Sequence, residues 1–449
     1  MTVFNKSEPF ILFLGDVIVF VAALWLTLLL RYQELPSWWL FQSHLTPFSI
    51  IFVLWALVFF IAGLYEKHTT ILKSRLPNII FNAQAVNSAI AVVFFYLFPY
   101  FGINPKTNLF IYIILTFFAV LAWRIYGISF LGFKKREKAI LIGSGEEMRE
   151  LKDEINSNDR YSIKFISSID LNDINNLDFK SEFLDLIYSE GVSSVVVDLR
   201  NEKVGPILPK LYNLIFSKVK FIDMYKVYED TFDRTPLSLL NYNWFLENIS
   251  RSAHAGYDFL KRLMDMAVAF LVGLVSLIFY PLVFLSIKLE DRGEIFSRQE
   301  RVGQNNKLIS IIKFRTMTLA NDEARWGQVE NKVTRVGAFL RKTRIDEFPQ
   351  LWNVMKGDIS LIGPRPEFAR PVKEYGKKIP YYNVRHIIKP GLSGWAQIHH
   401  ERHPHHGVDI EETKNKLSYD LYYIKNRSFM LDVKIALQTL KTLFSRSGV

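Results

Sequence analysis

Five apolar runs set the limits on what this chain can become. Four stretches of spanning length, roughly 9–31, 47–65, 79–101 and 108–130, crowd the first third, and a fifth, Met264 to Ile287, stands alone further on. Apolar runs of about 20 residues have the length of a membrane-crossing helix. The first, from about Phe10 to Leu30, is too long for the core of a cleavable signal and lacks a small-residue cleavage site, so it reads as a retained helix. Basic residues flank the runs unevenly. Lys67, Lys73 and Arg75 lie between the second and third, and Lys134, Lys135, Arg136 and Lys138 follow the fourth, whereas the other connections carry mainly Arg31 and Lys106. Loops rich in Lys and Arg stay cytoplasmic, which puts both ends of a four-helix bundle on that side. Trp38, Trp39, Tyr65 and Tyr100 fall near segment ends, where interfacial aromatics belong.

The chain has no cysteine, which excludes disulfides, thiolate catalysis and cysteine-based zinc sites. Its formal charge of +11 suits contact with anionic lipid or bound phosphates, or is the ordinary lysine excess of a cytoplasmic membrane face. Nucleic acid is not an expected partner. After Lys138 the composition turns soluble. Ala139 to Gly145 reads as a strand and glycine turn, Glu146 to Ile155 as a helix, and 161–166, 194–198 and 219–222 as further strands. Strands alternating with helices form a parallel α/β domain. The fold class expected is therefore a multidomain membrane protein. It comprises a four-helix transmembrane bundle (1–134), a small Rossmann-like α/β domain (135–230), a linker (231–256) and a mixed α/β domain (257–449), the last anchored by the fifth run, about 264–288.

That fifth run would measure about 36 Å as a helix, enough to cross a hydrocarbon core of about 30 Å. Two features favour a helix that enters one leaflet and returns. Lys261 and Arg262 precede it while Lys288, Arg292, Arg298 and Arg301 follow it, and Pro281 removes an interior hydrogen bond and bends the helix. The alternative is a kinked fifth span, which would place 290–449 outside.

Chemistry-bearing motifs crowd the last third. In Leu308 to Met317, period two puts Lys313 and Arg315 on one strand face, a pairing that suits a phosphate or is simply an exposed face. Val333 to Arg344 reads as a basic amphipathic helix leading to Asp346 and Glu347, with Ile345, Phe348, Leu351, Trp352 and Met355 at helical spacing after it. Pro349 suits a first helical turn, so the carboxylates belong at or just before a helix N-terminus, where the dipole favours anions. Asp346 could equally be a plain N-cap. Gly363-Pro-Arg-Pro366 locks Arg365 between two prolines, as a stiff phosphate clamp or a stiff solvated turn. Ser418 to Lys425 groups Asp420 with three tyrosines, and 429–444 reads as an amphipathic helix. His399, His400, His403, His405 and His406 share a stretch with Pro404 and Gly407 and read as a loop, not a zinc site. Gly143-Ser-Gly145 has Met148 where a dinucleotide fingerprint needs a third glycine, so it reads as a structural turn.

Seven runs together carry a family resemblance: Lys261-Arg-Leu-Met-Asp265, Arg298-Gln-Glu-Arg-Val-Gly303, Lys313-Phe-Arg-Thr-Met317, Ile345-Asp-Glu-Phe-Pro-Gln-Leu351, Gly363-Pro-Arg-Pro366, Pro390-Gly-Leu-Ser-Gly-Trp-Ala-Gln397 and Tyr419-Asp-Leu-Tyr-Tyr423. From Lys261 onward the chain resembles the bacterial sugar transferases, the monotopic polyprenyl-phosphate phosphoglycosyl transferases, and the whole chain looks like their large form. The resemblance implies that a UDP-sugar gives its sugar 1-phosphate to polyprenyl (undecaprenyl) phosphate, with UMP leaving, as the first membrane step of exopolysaccharide, capsule or O-antigen synthesis. By position, Asp346 matches the nucleophile that carries a covalent phospho-sugar, Glu347 its Mg2+ ligand, and Arg341 and Arg365 its phosphate binders. Lys313, Arg315, Arg301 and Asp420 are the further substrate-binding candidates. The resemblance also implies an inner-membrane protein whose catalytic domain lies on the cytoplasmic face, against membrane lipid, and a homodimer is typical of the large form. One departure stands out: the family often has serine before the helix-breaking proline, and here Tyr280 precedes Pro281. The competing class is a non-catalytic scaffold or nucleotide sensor working through Gly143-Ser-Gly145, against which the intact Asp346–Glu347 pair counts.

Overall fold

Ser37 fixes where the second membrane helix begins. Its hydroxyl accepts from the Leu40 N–H at 3.3 Å, an N-cap, so the helix starts at Trp38, well before the expected boundary at 47, and carries Pro47 inside. The structure, a computed structural model, describes residues 8–65, 76–98, 105–127, 136–158, 161–172, 182–214, 219–249, 255–318, 332–399 and 409–445. Lys67, Lys73, Arg75, Tyr100, Lys134, Lys135 and four of the five clustered histidines, His400, His403, His405 and His406, lie outside the described residues. The chain divides into two compact units, Met1–Thr231 and Phe232–Val449.

In the first unit, α1 (Glu8–Tyr32), α2 (Trp38–Ile61), α3 (Leu76–Leu97) and α4 (Pro105–Ala122) surround a buried aromatic core that includes Phe20, Phe48, Trp55 and Tyr112. Among the described residues, five helical segments are long and apolar enough to cross a membrane: one in each of these helices, the fourth running on to Gly127, and Gly256–Asp291. Asp16 and Arg124 are buried as an ion pair within the first group. Tyr65 donates to Asp16 at 2.8 Å and Arg124 to Leu64 O at 2.6 Å, which satisfies polar groups that lipid could not.

The same unit holds β1 (Glu137–Gly143), α5 (Glu146–Ser157), β2 (Ile163–Asp170), α6 (Glu182–Glu190), β3 (Ser194–Val197), α7 (Leu208–Asn213), β4 (Lys220–Asp223) and α8 (Met224–Phe232). The strands form one parallel sheet in the order β2-β1-β3-β4, with Ile140, Ile142, Val195 and Val197 buried. A Cβ at Gly143 would lie 2.7 Å from Met224 Sδ and 3.4 Å from the Met148 side chain, so two methionines pack against the glycine turn. Glu146 and Glu147 in the first turn of α5 add repulsion toward an anion.

The second unit begins inside the expected linker. Leu237, Leu240, Phe245 and Ile249 pack against its main core, α9 (Tyr242–Asn248) buries Trp244, and Trp395 Nε1 donates to Asp233 O at 2.8 Å. These contacts make 232–249 part of the folded unit, because apolar residues spaced along a polar stretch found a surface to cover. Next come α10 (Ala255–Ser276), a 3-10 turn at Leu277–Phe279, and α11 (Tyr280–Asp291), followed by the antiparallel pair β5 (Phe296–Val302) and β6 (Leu308–Phe314). Then α12 (Arg335–Thr343), α13 (Gln350–Lys356), β7 (Ser360–Ile362), α14 (Ala369–Lys378), β8 (Gly391–Ser393), α15 (Trp395–His399), α16 (Ile410–Asn426) and α17 (Phe429–Ser445) complete the chain, with β7 parallel to β8.

Both legs of the broken helix are tied to this one unit. On α10, Lys261 pairs with Asp432 at 2.8 Å, Arg262 donates to Val354 O and Met355 O, and Asp265 accepts from Ser360 Oγ at 2.7 Å. On α11, Glu290 accepts from the Arg335 N–H at the start of α12 (2.6 Å), Asp291 pairs with Arg315, and Val283 and Ile287 pack on Phe314 and Leu340. Leu271, Leu274, Ile278 and Leu282 stay exposed. At the break Ser276 donates to Gly273 O at 2.6 Å, while Tyr280 packs edge-on against Phe314 with centroids 4.9 Å apart.

Candidate active site

Asp346 and Glu347 occupy a single 3-10 turn, Ile345–Glu347, entered through Arg344 in the left-handed conformation (φ 58°). The carboxylates thus lie just before a helix N-terminus, since the α-helix starts at Gln350, past Pro349, and neither the turn nor that helix has a side-chain cap. The turn rides on β6 through Asn353, whose side chain accepts from Ile312 N–H at 3.1 Å and donates to Ser310 O at 2.7 Å.

The two carboxylates have different surroundings. Lys313 Nζ lies 3.0 Å and Arg344 Nη1 3.7 Å from Glu347 Oε1. Burial disfavours the Glu347 charge, but Lys313, Arg365 and Arg344 together outweigh it and hold the carboxyl at about 2. Asp346 is 7% exposed, and its Oδ1 is buried without a hydrogen-bond partner. Burial, then repulsion from Glu347, pushes its carboxyl up to about 6. Arg341, on the last turn of α12, is steadied by donating Nε to Thr316 Oγ1 at 2.9 Å. The Arg365 side chain makes no hydrogen bond or ion pair within the described residues, although its charge reaches Glu347 and Lys313. Asp346, Glu347, Lys313, Arg341 and Arg365 thus converge as the motifs implied.

Three of the expected substrate binders face elsewhere. Arg315 is paired with Asp291, with Nε donating to Glu294 O at 2.6 Å and Nη1 to the carbonyls of Met317 and Thr318. It lies past the end of β6, where the alternation that put it beside Lys313 no longer holds. Arg301 is buried, stacks on Phe368 at 3.4 Å and donates to Pro366 O at 3.1 Å. Asp420 is buried and pairs with Arg385 at 2.7 Å. All three are committed to partners within the protein. His399 stacks on Tyr419 and meets Trp395 edge-on, a packing role.

The sequence reading passed over Arg385 and Arg344. Arg385 Nη2 donates to Arg365 O at 3.2 Å and Nη1 to Tyr382 Oη at 2.8 Å. The turn 364–367 therefore has four successive carbonyls accepting hydrogen bonds: Pro364 from Gly391 N–H (2.9 Å), Arg365 from Arg385, Pro366 from Arg301, and Glu367 from Val302 N–H (2.9 Å). The close approach needs glycine at 391, where a Cβ would sit 2.1 Å from Gly363 N.

Residues 256–446 match the bacterial sugar transferase family. Similar proteins include a UDP-N-acetylgalactosamine-undecaprenyl-phosphate N-acetylgalactosaminephosphotransferase of Aeromonas hydrophila, 43% identical over 43% of this chain and 45% of that protein. A UDP-glucose:undecaprenyl-phosphate glucose-1-phosphate transferase of Escherichia coli (strain K12) is 37% identical over 40% of this chain and 39% of its own length. An uncharacterized sugar transferase of Bacillus subtilis (strain 168) is 35% identical over 42% of this chain and 90% of its own length. The match spans less than half of the first two relatives. The chain belongs to the bacterial sugar transferase family.

Proposed function

We propose that this protein transfers a sugar 1-phosphate from a UDP-sugar to polyprenyl phosphate, as its relatives' names describe for undecaprenyl phosphate. The observation that carries the reading is the buried Oδ1 of Asp346, without a hydrogen-bond partner among the described residues, beside Glu347, Lys313, Arg344 and Arg341. Asp346 Oδ1 forms a bond to the sugar-bearing phosphorus, the bond from that phosphorus to the UMP oxygen breaks, and UMP departs with the electron pair. An oxygen of polyprenyl phosphate then attacks the same phosphorus and frees the carboxylate. Splitting the transfer lets a soluble donor leave before a lipid acceptor enters. The fixed cations offset phosphate charge with little reorganisation.

Mg2+ suits the donor set, since it takes one or two protein carboxylates and completes its shell with phosphate oxygens and water. Glu347 offers such a carboxylate, and among the described residues no group of three or more histidine or acidic side chains is placed to hold a metal by itself. Glu347 would hold the ion, which when bound neutralises diphosphate charge.

A re-entrant anchor is the topology this chemistry favours. A 36-residue straight helix from Gly256 to Asp291 would be about 54 Å long. What supports a return to one side is that Lys261 and Asp265 near one end, and Glu290 and Asp291 at the other, bind a single compact unit. The site would then lie at the cytoplasmic headgroup level of a bacterial inner membrane, at the first step of polysaccharide assembly.

The test is UMP release from a panel of UDP-sugars by the full chain in membranes containing polyprenyl phosphate. Asp346→Asn is expected to abolish it with every donor. Undiminished release by that variant removes Asp346 as nucleophile.

A further inference from the structure

We propose that Arg385, held by Asp420 and Tyr382, is a positioning residue that sets the direction of the Arg365 side chain. The inference rests on the reading of Arg365 as a phosphate binder. No hydrogen bond or ion pair holds the Arg365 side chain among the described residues, so its starting direction is set by the backbone it leaves. Pro364 fixes its own φ, and Pro366 biases Arg365 toward extended geometry. Arg385 Nη2 holds the Arg365 carbonyl at 3.2 Å and so fixes the 365–366 peptide within the range those biases leave.

The guanidinium that does this is itself immobilised. Arg385 is 4% exposed, its Nη2 lies 2.7 Å from Asp420 Oδ2, and its Nη1 reaches Tyr382 Oη at 2.8 Å. One planar fork thus joins a buried carboxylate, a phenol and the Arg365 carbonyl. A lysine has a compact head and cannot span the three partners in that geometry. The pair comes from three distant places in sequence, the 3-10 stretch Tyr382–Ile387, the proline turn and α16, so it exists only in the folded unit.

The experiment is a double-mutant cycle on the full chain, using the best donor from the UDP-sugar panel. Arg365→Ala alone should lower UMP release about 100-fold, and Arg385→Lys alone about tenfold through kcat, measured per folded protein below its lowered thermal midpoint. In the Arg365→Ala background, Arg385→Lys should change release less than about twofold, because the side chain it aims is gone. Tyr382→Phe, which removes one hydroxyl and keeps the Asp420 pair, should repeat the pattern with a smaller loss. Equal losses in both backgrounds would make the pair a general stabiliser and overturn the proposal. An impaired Arg365→Ala with fully active Arg385→Lys and Tyr382→Phe would overturn it while sparing the role of Arg365. A fully active Arg365→Ala would end both.

Discussion

Lys313 Nζ lies 3.0 Å from Glu347 Oε1, while among the described residues no hydrogen-bond partner meets Asp346 Oδ1 one residue earlier. Two neighbouring carboxyls thereby acquire opposite properties, one held ionised at about 2 and the other pushed to about 6. The 3-10 turn makes this separation possible, since successive side chains leave it about 120° apart.

Replacing the lysine tests the first half of that relationship. Lys313→Met should lower UMP release about 100-fold, the scale of losing one fixed charge stabiliser at a reacting phosphate. It should also raise the Mg2+ concentration needed for half-maximal rate, because Glu347 loses the nearest of the three cations that keep it ionised. Titrating the rate against Mg2+ checks both effects, and an unchanged rate would show that Lys313 serves the fold alone.

The raised Asp346 carboxyl predicts a pH dependence. Only the ionised group attacks, so at fixed Mg2+ the rate should fall about tenfold per unit below pH 6 and level off above it. Glu347→Gln removes the like charge and should move the midpoint down, though burial keeps it above the ordinary aspartate value. A midpoint unmoved in that variant contradicts the coupling.

Gly337 sits where α12 crosses the strand end. A Cβ there would lie 2.1 Å from the Thr316 carbonyl oxygen, a backbone atom with no room to yield. Gly337→Ala should cost about 3 kcal/mol of stability. It should also reduce transfer in whatever protein folds, since Thr316 is the partner that steadies Arg341. Thermal unfolding and specific activity of the same preparation separate the two effects.

The chain's freedom from cysteine allows a direct test of sidedness. Glu411 is 82% exposed on α16. Glu411→Cys should resist a membrane-impermeant maleimide added to intact cells and react after permeabilisation. Labelling in intact cells would mean that the broken helix crosses the membrane.

What the sequence disclosed about the site follows a simple physical division. Asp346, Glu347, Lys313, Arg341 and Arg365 were readable because short motifs with prolines or carboxylate pairs restrict what their neighbourhood can do. Arg301, Arg315 and Asp420 were assigned to substrate because a charge in a motif does not say which way it faces, and packing turned all three inward. Arg385 gave no local signal, since its carboxylate, phenol and carbonyl partners meet it only after α16 and the proline turn have docked. The strands of the parallel sheet were legible from their apolar runs. The start of α2 was not, because Gln42, Ser43, His44, Thr46 and Pro47 interrupt the apolar run behind the tryptophan-led first turn that Ser37 caps.

The four carbonyls of residues 364–367 all have donors of their own. If Arg365 binds phosphate as proposed, the donors already on these carbonyls leave less free acceptor density facing an incoming anion than an open turn would. Under the proposed function, main chain that need not touch the ligand would thus still bias the turn toward an anion.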